Sequence, residues 1–238
     1  MFGGHRMSVK LPPLNKRLAA VAELVEPCGR IIDVGTDHAF LPLNLILTGK
    51  ANTAICSDIN RGPLDIAAKN IDRYCSGLAE TVLSDGLKNI PYDKNDCVVI
   101  AGMGGETIVG ILEAENRKTD ERCFILQPMS RIPYLRAYLA ENGFGITGWK
   151  LAEDRGRIYE CIRVSKNGRV ETESIFLEVG RPDGQPQELY KTYIEGVVCN
   201  IEKELSGLKR AAVRQEERIT ELENILTGLS VLKGEIAE

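Results

Sequence analysis

Residues Ile31-Ile-Asp-Val-Gly-Thr-Asp37 constrain the fold of this chain more than any other stretch. Apolar Ile31 and Ile32 lead into Asp33, the backbone turns at Gly35, and a helical pattern opens at His38 and runs to Leu47. A strand that turns on glycine into a helix begins a doubly wound α/β domain, and the turn lies where a ligand binds. The form departs from a dinucleotide site. Such a site needs G-x-G-x-x-G, so that backbone N–H groups can approach a pyrophosphate. Here Asp37 stands at the second glycine.

The remainder of the chain repeats the pattern. Strand-like runs at 30–34, 53–58, 81–84, 96–101 and 122–127 alternate with helical runs at 38–47, 63–74, 106–115 and 132–141. This alternation predicts a parallel sheet with helices on both faces. An amphipathic helix precedes it over 14–26, from Leu14, Leu18, Val21, Leu24 and Val25. Two further strands, 148–153 and 158–165, are joined only by Asp154-Arg-Gly-Arg157. So short a link makes an antiparallel hairpin, because a parallel return needs a long crossover. Five parallel strands ending in an antiparallel hairpin mark the Rossmann-like class I methyltransferases rather than the dehydrogenases. Residues 166–188 are rich in glycine, proline and charge and read as a connector, with 173–179 predicted as a short strand or turn. Beyond it, Leu189, Tyr193, Val197, Ile201, Leu205 and Leu208 step by three or four, as do Ile219, Leu222, Ile225, Leu229, Leu232 and Ile236. These predict two helices with apolar seams and a turn at 207–212, an antiparallel hairpin of coiled-coil type.

Composition sets the context. The chain has 238 residues, 43% hydrophobic and 27% charged, as in an ordinary globular enzyme with room for a core. A formal net charge of -4 excludes a uniformly basic nucleic-acid binder, so any such role needs a local basic face. Seven scattered cysteines without a C-x-x-C pair predict reduced thiols in the cytoplasm and neither zinc nor a disulfide framework. The opening residues lack the apolar core of a signal peptide, and no stretch predicts a membrane span.

The chemistry follows from the strand ends. A carboxylate at Asp37 repels phosphate and suits a cationic ligand without one. S-adenosylmethionine, with a sulfonium and an ammonium, is the first candidate. Asp33 can accept hydrogen bonds from turn N–H groups or from that ammonium, and Gly35 lets the backbone approach the ligand. The plainer reading of Asp37 is a helix N-cap. Asp58 ends the second strand, where a carboxylate binds both ribose hydroxyls, or caps the helix before Pro63. Asp85 and Gly86 close the third, where the carboxylate takes the adenine amino group and glycine clears the ring, or they form a surface turn. Ala101-Gly-Met-Gly-Gly105 follows the fourth strand and would admit a flat base close to the backbone; Gln127 and Pro128 would form the opposite wall.

Taken together, Asp33-Val-Gly-Thr-Asp-His-Ala-Phe-Leu-Pro42, Asp58-Ile59, Asp85-Gly-Leu87, Ala101-Gly-Met-Gly-Gly105 and Leu126-Gln-Pro128 resemble the bacterial tRNA (adenine(22)-N1)-methyltransferase family. Lys16-Arg17-Leu18 and the helical hairpin fit it too, and Phe40 stands where tyrosine is usual. The resemblance implies a Rossmann-like domain over 1–166, a connector over 167–188 and a coiled-coil hairpin over 189–238. It implies S-adenosylmethionine as cofactor, held by Asp33, Gly35, Asp37, Asp58, Ile59, Asp85, Gly86, Ala101, Gly102, Met103 and Gly104. It implies tRNA as substrate, methylated at N1 of an adenine in the D-arm, with Asp37 and His38 as catalytic residues and no metal.

Phosphate contacts would come from two basic groups. Arg6, Lys10, Lys16, Arg17 and Arg30 outweigh Glu23 and Glu26 near the start, and Lys209, Arg210, Arg214 and Arg218 surround the hairpin turn. The hairpin seam serves dimerisation equally well. Two other readings stay open: a methyltransferase acting on a different substrate, and a non-catalytic cofactor- or RNA-binding module working through its coiled coil.

Overall fold

The computed structural model describes residues 11–114, 123–211 and 215–237. Its strands are β1 (Cys28–Val34), β2 (Ala51–Asp58), β3 (Ala79–Leu83), β4 (Asp96–Met103), β5 (Cys123–Pro128), β6 (Gly145–Asp154) and β7 (Arg157–Ser165). They form one sheet in the order β3-β2-β1-β4-β5-β7-β6. β3, β2, β1, β4 and β5 run parallel, while β7 enters antiparallel beside β5 and pairs antiparallel with β6 at the edge. This is the Rossmann-like arrangement the alternation predicts. β6 begins at Gly145 rather than at 148, because a bulge between Ile146 and Gly148 carries the pairing further back along the chain.

Central strands β1 and β4 are buried on both faces, as a covered parallel sheet requires. Alternate residues then serve opposite layers. Ile31, Ala54, Cys56, Val99, Ile125 and Cys161 pack against α1 (Lys16–Leu24), α2 (Phe40–Leu47) and α3 (Arg61–Cys75). Ile32, Ile55, Val98, Ile100, Leu126 and Ile162 pack against α4 (Gly105–Ala114) and α5 (Ile132–Glu141).

The C-terminal part differs from expectation at two places. Glu173–Val179 is not a strand: α6 (Ser174–Val179) is a short helix, which turns Ile175, Phe176 and Val179 toward one apolar cluster. The predicted turn at 207–212 also moves. α7 (Gln187–Arg210) passes through Gly207 because Leu205 and Leu208 keep its seam packed, and α8 (Glu216–Ala237) returns beside it. The two are antiparallel, as pairs Lys233–Glu195 (3.4 Å), Arg218–Glu204 (2.9 Å) and Lys209–Glu223 (2.6 Å) show.

A buried polar cluster joins this hairpin to the sheet. Arg136 of α5 and Glu160 of β7 form an ion pair at 1% and 0% side-chain exposure. Tyr193 of α7 donates its hydroxyl to Glu160 at 3.1 Å. The Arg136 guanidinium also donates to the carbonyls of Leu177 (3.1 Å) and Glu178 (2.7 Å), fixing α6. Trp149 of β6 meets the Tyr190 ring edge-on at 5.8 Å, and Tyr190 donates to the Gly180 carbonyl at 2.7 Å. Removing one charge strands the other in a dry site. Arg136→Met or Glu160→Gln is therefore expected to cost about 3–5 kcal/mol in urea unfolding. Tyr193→Phe, which removes one hydrogen bond, should cost about 1 kcal/mol.

Candidate active site

Parallel register brings five strand ends to one rim. Val34 pairs with Ser57 of β2 and with Ile100 of β4, Asp58 with Leu83 of β3, and Ala101 with Gln127 of β5. The strand order reverses at β1, so a crevice opens beside its carboxyl end. There the N–H groups of Gly35 and Thr36 both donate to the Ser57 carbonyl at 2.8 Å. Gly35 has φ 78°, and a Cβ on it would collide with the Met103 Cε atom. The backbone conformation demands glycine here, while the Met103 tip is flexible enough to move aside.

Asp33 is 7% exposed and accepts from the Thr36 hydroxyl at 2.6 Å. Burial pushes its carboxyl up to about 6 against the opposing pull of that hydrogen bond. The turn N–H groups, expected to serve Asp33, are taken by Ser57 instead. Asp37 is exposed and lies 3.2 Å from His38 Nε2. His38 in turn stacks on Phe40 at 5.3 Å and 27°. Asp37 does not cap α2, whose N-cap is left-handed Ala39 with no side-chain bond. Its carboxylate thus stays exposed with an imidazole beside it.

Along β2 and β3, one Asp58 oxygen accepts from the Asn60 N–H at 2.7 Å and shapes the entry to α3. Ile59 follows with 63% exposure, an apolar surface at the rim. Asp85 pairs with Lys88. A cavity of about 310 Å³ continues from Asp85 and Gly86 along Thr107, Gly110, Ile111 and Ala114 of α4.

Between β4 and β5 the rim is built around Gln127, which is fully buried. Its carbonyl oxygen accepts from the Gly102 N–H at 3.1 Å and from Arg17, and its amide donates to the Pro128 carbonyl at 2.7 Å. Gly102 is a bulge in β4 with φ 81°, and an added Cβ would lie in ordinary contact with the Arg17 guanidinium at 3.5 Å. Arg17 lies over the Tyr159 ring at 5.9 Å. Gly104 approaches Ser130, and Arg131, left-handed at φ 56°, pairs with Glu106 at 2.8 Å. Tyr159, Ser130 and Arg131 went unmarked in the sequence, where no motif surrounds them. An exposed Met129 and Tyr134, at 44% and 50%, flank the same wall.

The structure therefore gathers Asp33, Gly35, Asp37, His38, Asp58, Ile59, Asp85, Gly86, Ala101, Gly102, Met103, Gly104, Gln127, Pro128 and Arg17 along one edge, with Lys16 exposed beside Arg17. Arg30 does not join them. It lies at the amino end of β1 and is bound to Asp96 at 2.7 Å. Lys209 and Arg210 end α7, away from the crevice, with Lys209 held by Glu223. Arg6, Lys10 and Arg214 lie outside the described residues. Among the described residues no His, Cys, Asp or Glu group is arranged to hold a metal ion, and no helix is long and apolar enough to cross a membrane.

A family model described as "Methyltransferase domain" matches residues 14–162. The tRNA (adenine(22)-N(1))-methyltransferase of Bacillus subtilis is 35% identical over 153 residues, which cover 63% of this chain and 63% of that protein. Among solved structures, TrmK of M. capricolum, in complex with S-adenosyl-homocysteine, is 28% identical with a TM-score of 0.78, over 94% of this chain and 99% of that one. The B. subtilis M1A22 tRNA methyltransferase TrmK is 25% identical with a TM-score of 0.80, over 95% and 100%. The chain belongs to this methyltransferase-domain family.

The residues present fit the family's cofactor, S-adenosylmethionine. The cradle at Gly35 admits no side chain except the flexible tip of Met103. Asp33 and Asp58 end the two strands beside it, and carboxylates at these places would suit an ammonium and a ribose. The raised carboxyl of Asp33 has two consequences. In the unliganded protein its ionised form is disfavoured relative to the unfolded chain, so this residue's contribution makes stability rise as pH falls from about 6 toward 4. Cofactor binding runs the other way: calorimetry should show affinity falling below pH 6, approaching tenfold per unit. Asp33→Asn should remove both slopes.

Proposed function

We propose that this protein methylates N1 of adenine 22 in the D-arm of tRNA, using S-adenosylmethionine. The observation that carries the reading is the pairing of a carboxylate-lined cradle with a glycine wall at 102–104, in a chain of this family. Residues 1–166 carry the chemistry, 167–188 form the link and 189–238 the arm. The substrate puts the work in the cytoplasm.

Bound S-adenosylmethionine supplies an electrophilic methyl group on a sulfonium. Adenine N1 has an in-plane lone pair and needs no base to make it nucleophilic. In a duplex that edge is paired, so the adenine must leave the stack to reach the crevice. The chain then works by positioning. Gly102 and Gly104 leave the backbone open to a flat ring, and Gln127, bound to Gly102 and Arg17, keeps that wall in shape. Methylation leaves the ring cationic. Asp37, steadied by His38, stabilises that charge from beside N6 and accepts an N6 proton.

The arm supplies reach. A helix of 24 residues is roughly 36 Å long, and Arg210 lies about 25 Å beyond the docked Tyr193. Lys16 and Arg17 stand at the crevice end of α1, so the two groups can hold an RNA limb from two sides.

Labelled S-adenosylmethionine and unmodified tRNA test the reading. Label should enter 1-methyladenosine and vanish when adenine 22 is replaced; intact cofactor binding with no label in tRNA would overturn it. Asp37→Asn should lower turnover by about 10²–10⁴-fold with little change in cofactor Kd. Equal losses in both would make Asp37 a cofactor ligand. Lys16→Ala and Arg210→Ala should each weaken tRNA binding about three- to tenfold, whatever the sequence, and reduce the salt slope by about one.

A further inference from the structure

At the opposite, amino edge of the sheet, three cysteines come together. Cys28 opens β1, Cys97 is second in β4 and Cys123 opens β5. Cys97 and Cys123 are register partners on adjacent parallel strands and face the same helix layer. Neighbouring strands lie about 4.8 Å apart, inside the Cα separation of about 4.4–6.8 Å that a disulfide spans. Both are free thiols; Cys97 is buried and Cys123 only half-buried.

A fixed cation stands beside them. Arg163 of β7 donates from Nε to the Cys123 sulfur at 3.3 Å, while its two terminal nitrogens clasp the Glu26 carboxylate. The hydrogen bond from Cys97 holds the Cys123 thiol down to about 7. Arg163 acts in the same direction, and burial and Glu26 oppose it. Cys97 moves up, as the donor in that bond and because it is buried, and burial raises Cys28 as well. Methyl transfer uses none of these groups.

We propose that Cys123 and Cys97 form a peroxide-oxidisable dithiol, in which Cys123 is attacked first and Cys97 resolves it. The Cys123 thiolate attacks one oxygen of a hydroperoxide. An S–O bond forms, the O–O bond breaks, and the departing oxygen takes a proton and leaves as water or alcohol. The Cys97 sulfur, giving up its proton, then attacks the sulfur of the Cys123 sulfenic acid. An S–S bond forms, the S–O bond breaks, and hydroxide leaves with that proton as water. Two thiols lose two electrons in all, and the hydroperoxide gains them. Being held by strand register and buried on one side, the pair is a reversible thiol site of the kind found in reducing compartments.

The test uses the reduced full chain exposed to hydrogen peroxide, with remaining thiols blocked by iodoacetamide and peptides mapped without reduction. A dithiothreitol-sensitive link between Cys97 and Cys123 is expected, with exposed Cys199 mostly alkylated. In Cys97→Ala, Cys123 should stop at a sulfenic acid that dimedone traps. In Arg163→Met, modification of Cys123 at pH 7 should slow by about tenfold. Should a variant fail to fold, the wild-type ratio of Cys123 to Cys199 alkylation rates at pH 7 decides, and it should exceed one. Oxidation of Cys199 or Cys28 with Cys97 and Cys123 left as thiols, or a link from Cys123 to Cys28, would overturn the proposal.

Discussion

β1 has β2 on one side and β4 on the other, and the crevice depends on that placement. Its turn is held by spending the N–H groups of Gly35 and Thr36 on the Ser57 carbonyl. In a dinucleotide site such groups face a pyrophosphate. Here they are used up inside the fold, and Met103 covers the glycine. What remains to meet a ligand at this turn is carboxylate: Asp33 beneath it, Asp37 beyond it and Asp58 on the next strand. Loss of the phosphate-binding donors and gain of acidic side chains are thus one structural change, and both favour a cationic, phosphate-free cofactor.

Strand β7 links that crevice to the arm. Its neighbouring residues Tyr159 and Glu160 point to opposite faces. Tyr159 lies under Arg17, which reaches Gln127 and so the glycine wall. Glu160 binds Arg136 and Tyr193, and with them α6 and α7. A buried ion pair is weak as a source of stability compared with apolar packing, but it leaves few arrangements in which both charges are satisfied. A one-residue slip of β7 would exchange the two faces and break both connections. The direction of the arm and the shape of the substrate wall are therefore set by the same register.

Local pattern made the parallel strands readable, since β1 and β4 are short apolar runs that each end at a carboxylate or a glycine. It also placed Asp33, Asp58, Asp85 and Gly102 at strand ends. What it missed was decided between segments distant in the chain. Arg136 and Glu160 carry no local signal of burial, because nothing within ten residues of either shows its partner. Arg30 looked like a companion of Lys16 and Arg17, but α1 crosses the sheet from rim to base, so residues close in sequence sit at opposite ends. Glycine at 207 suggested a turn; seam packing by Leu205 and Leu208 outweighs its helix cost of about 1 kcal/mol. Six residues at 174–179 are too few for periodicity to separate helix from strand, and burial of Val179 in the apolar cluster of α7 and α8 decides the matter.

On the proposed function, a protein of net charge -4 has to separate where it would accept phosphate from where it would accept a base. The acids at the strand ends would repel an RNA backbone, leaving phosphate to Lys16 and Arg17 at the edge. An adenine ring carries no charge on entry and gains a positive one on methylation, so the same acids become more favourable as reaction proceeds. On the arm, Lys209 and Arg218 are paired with Glu223, Glu204 and Glu221, which tempers their pull on phosphate. Binding by a few unneutralised cations, rather than a broad basic face, would make such an RNA contact weak and salt-sensitive. Selection would then fall to the crevice, where an unstacked base would be favoured over a phosphate.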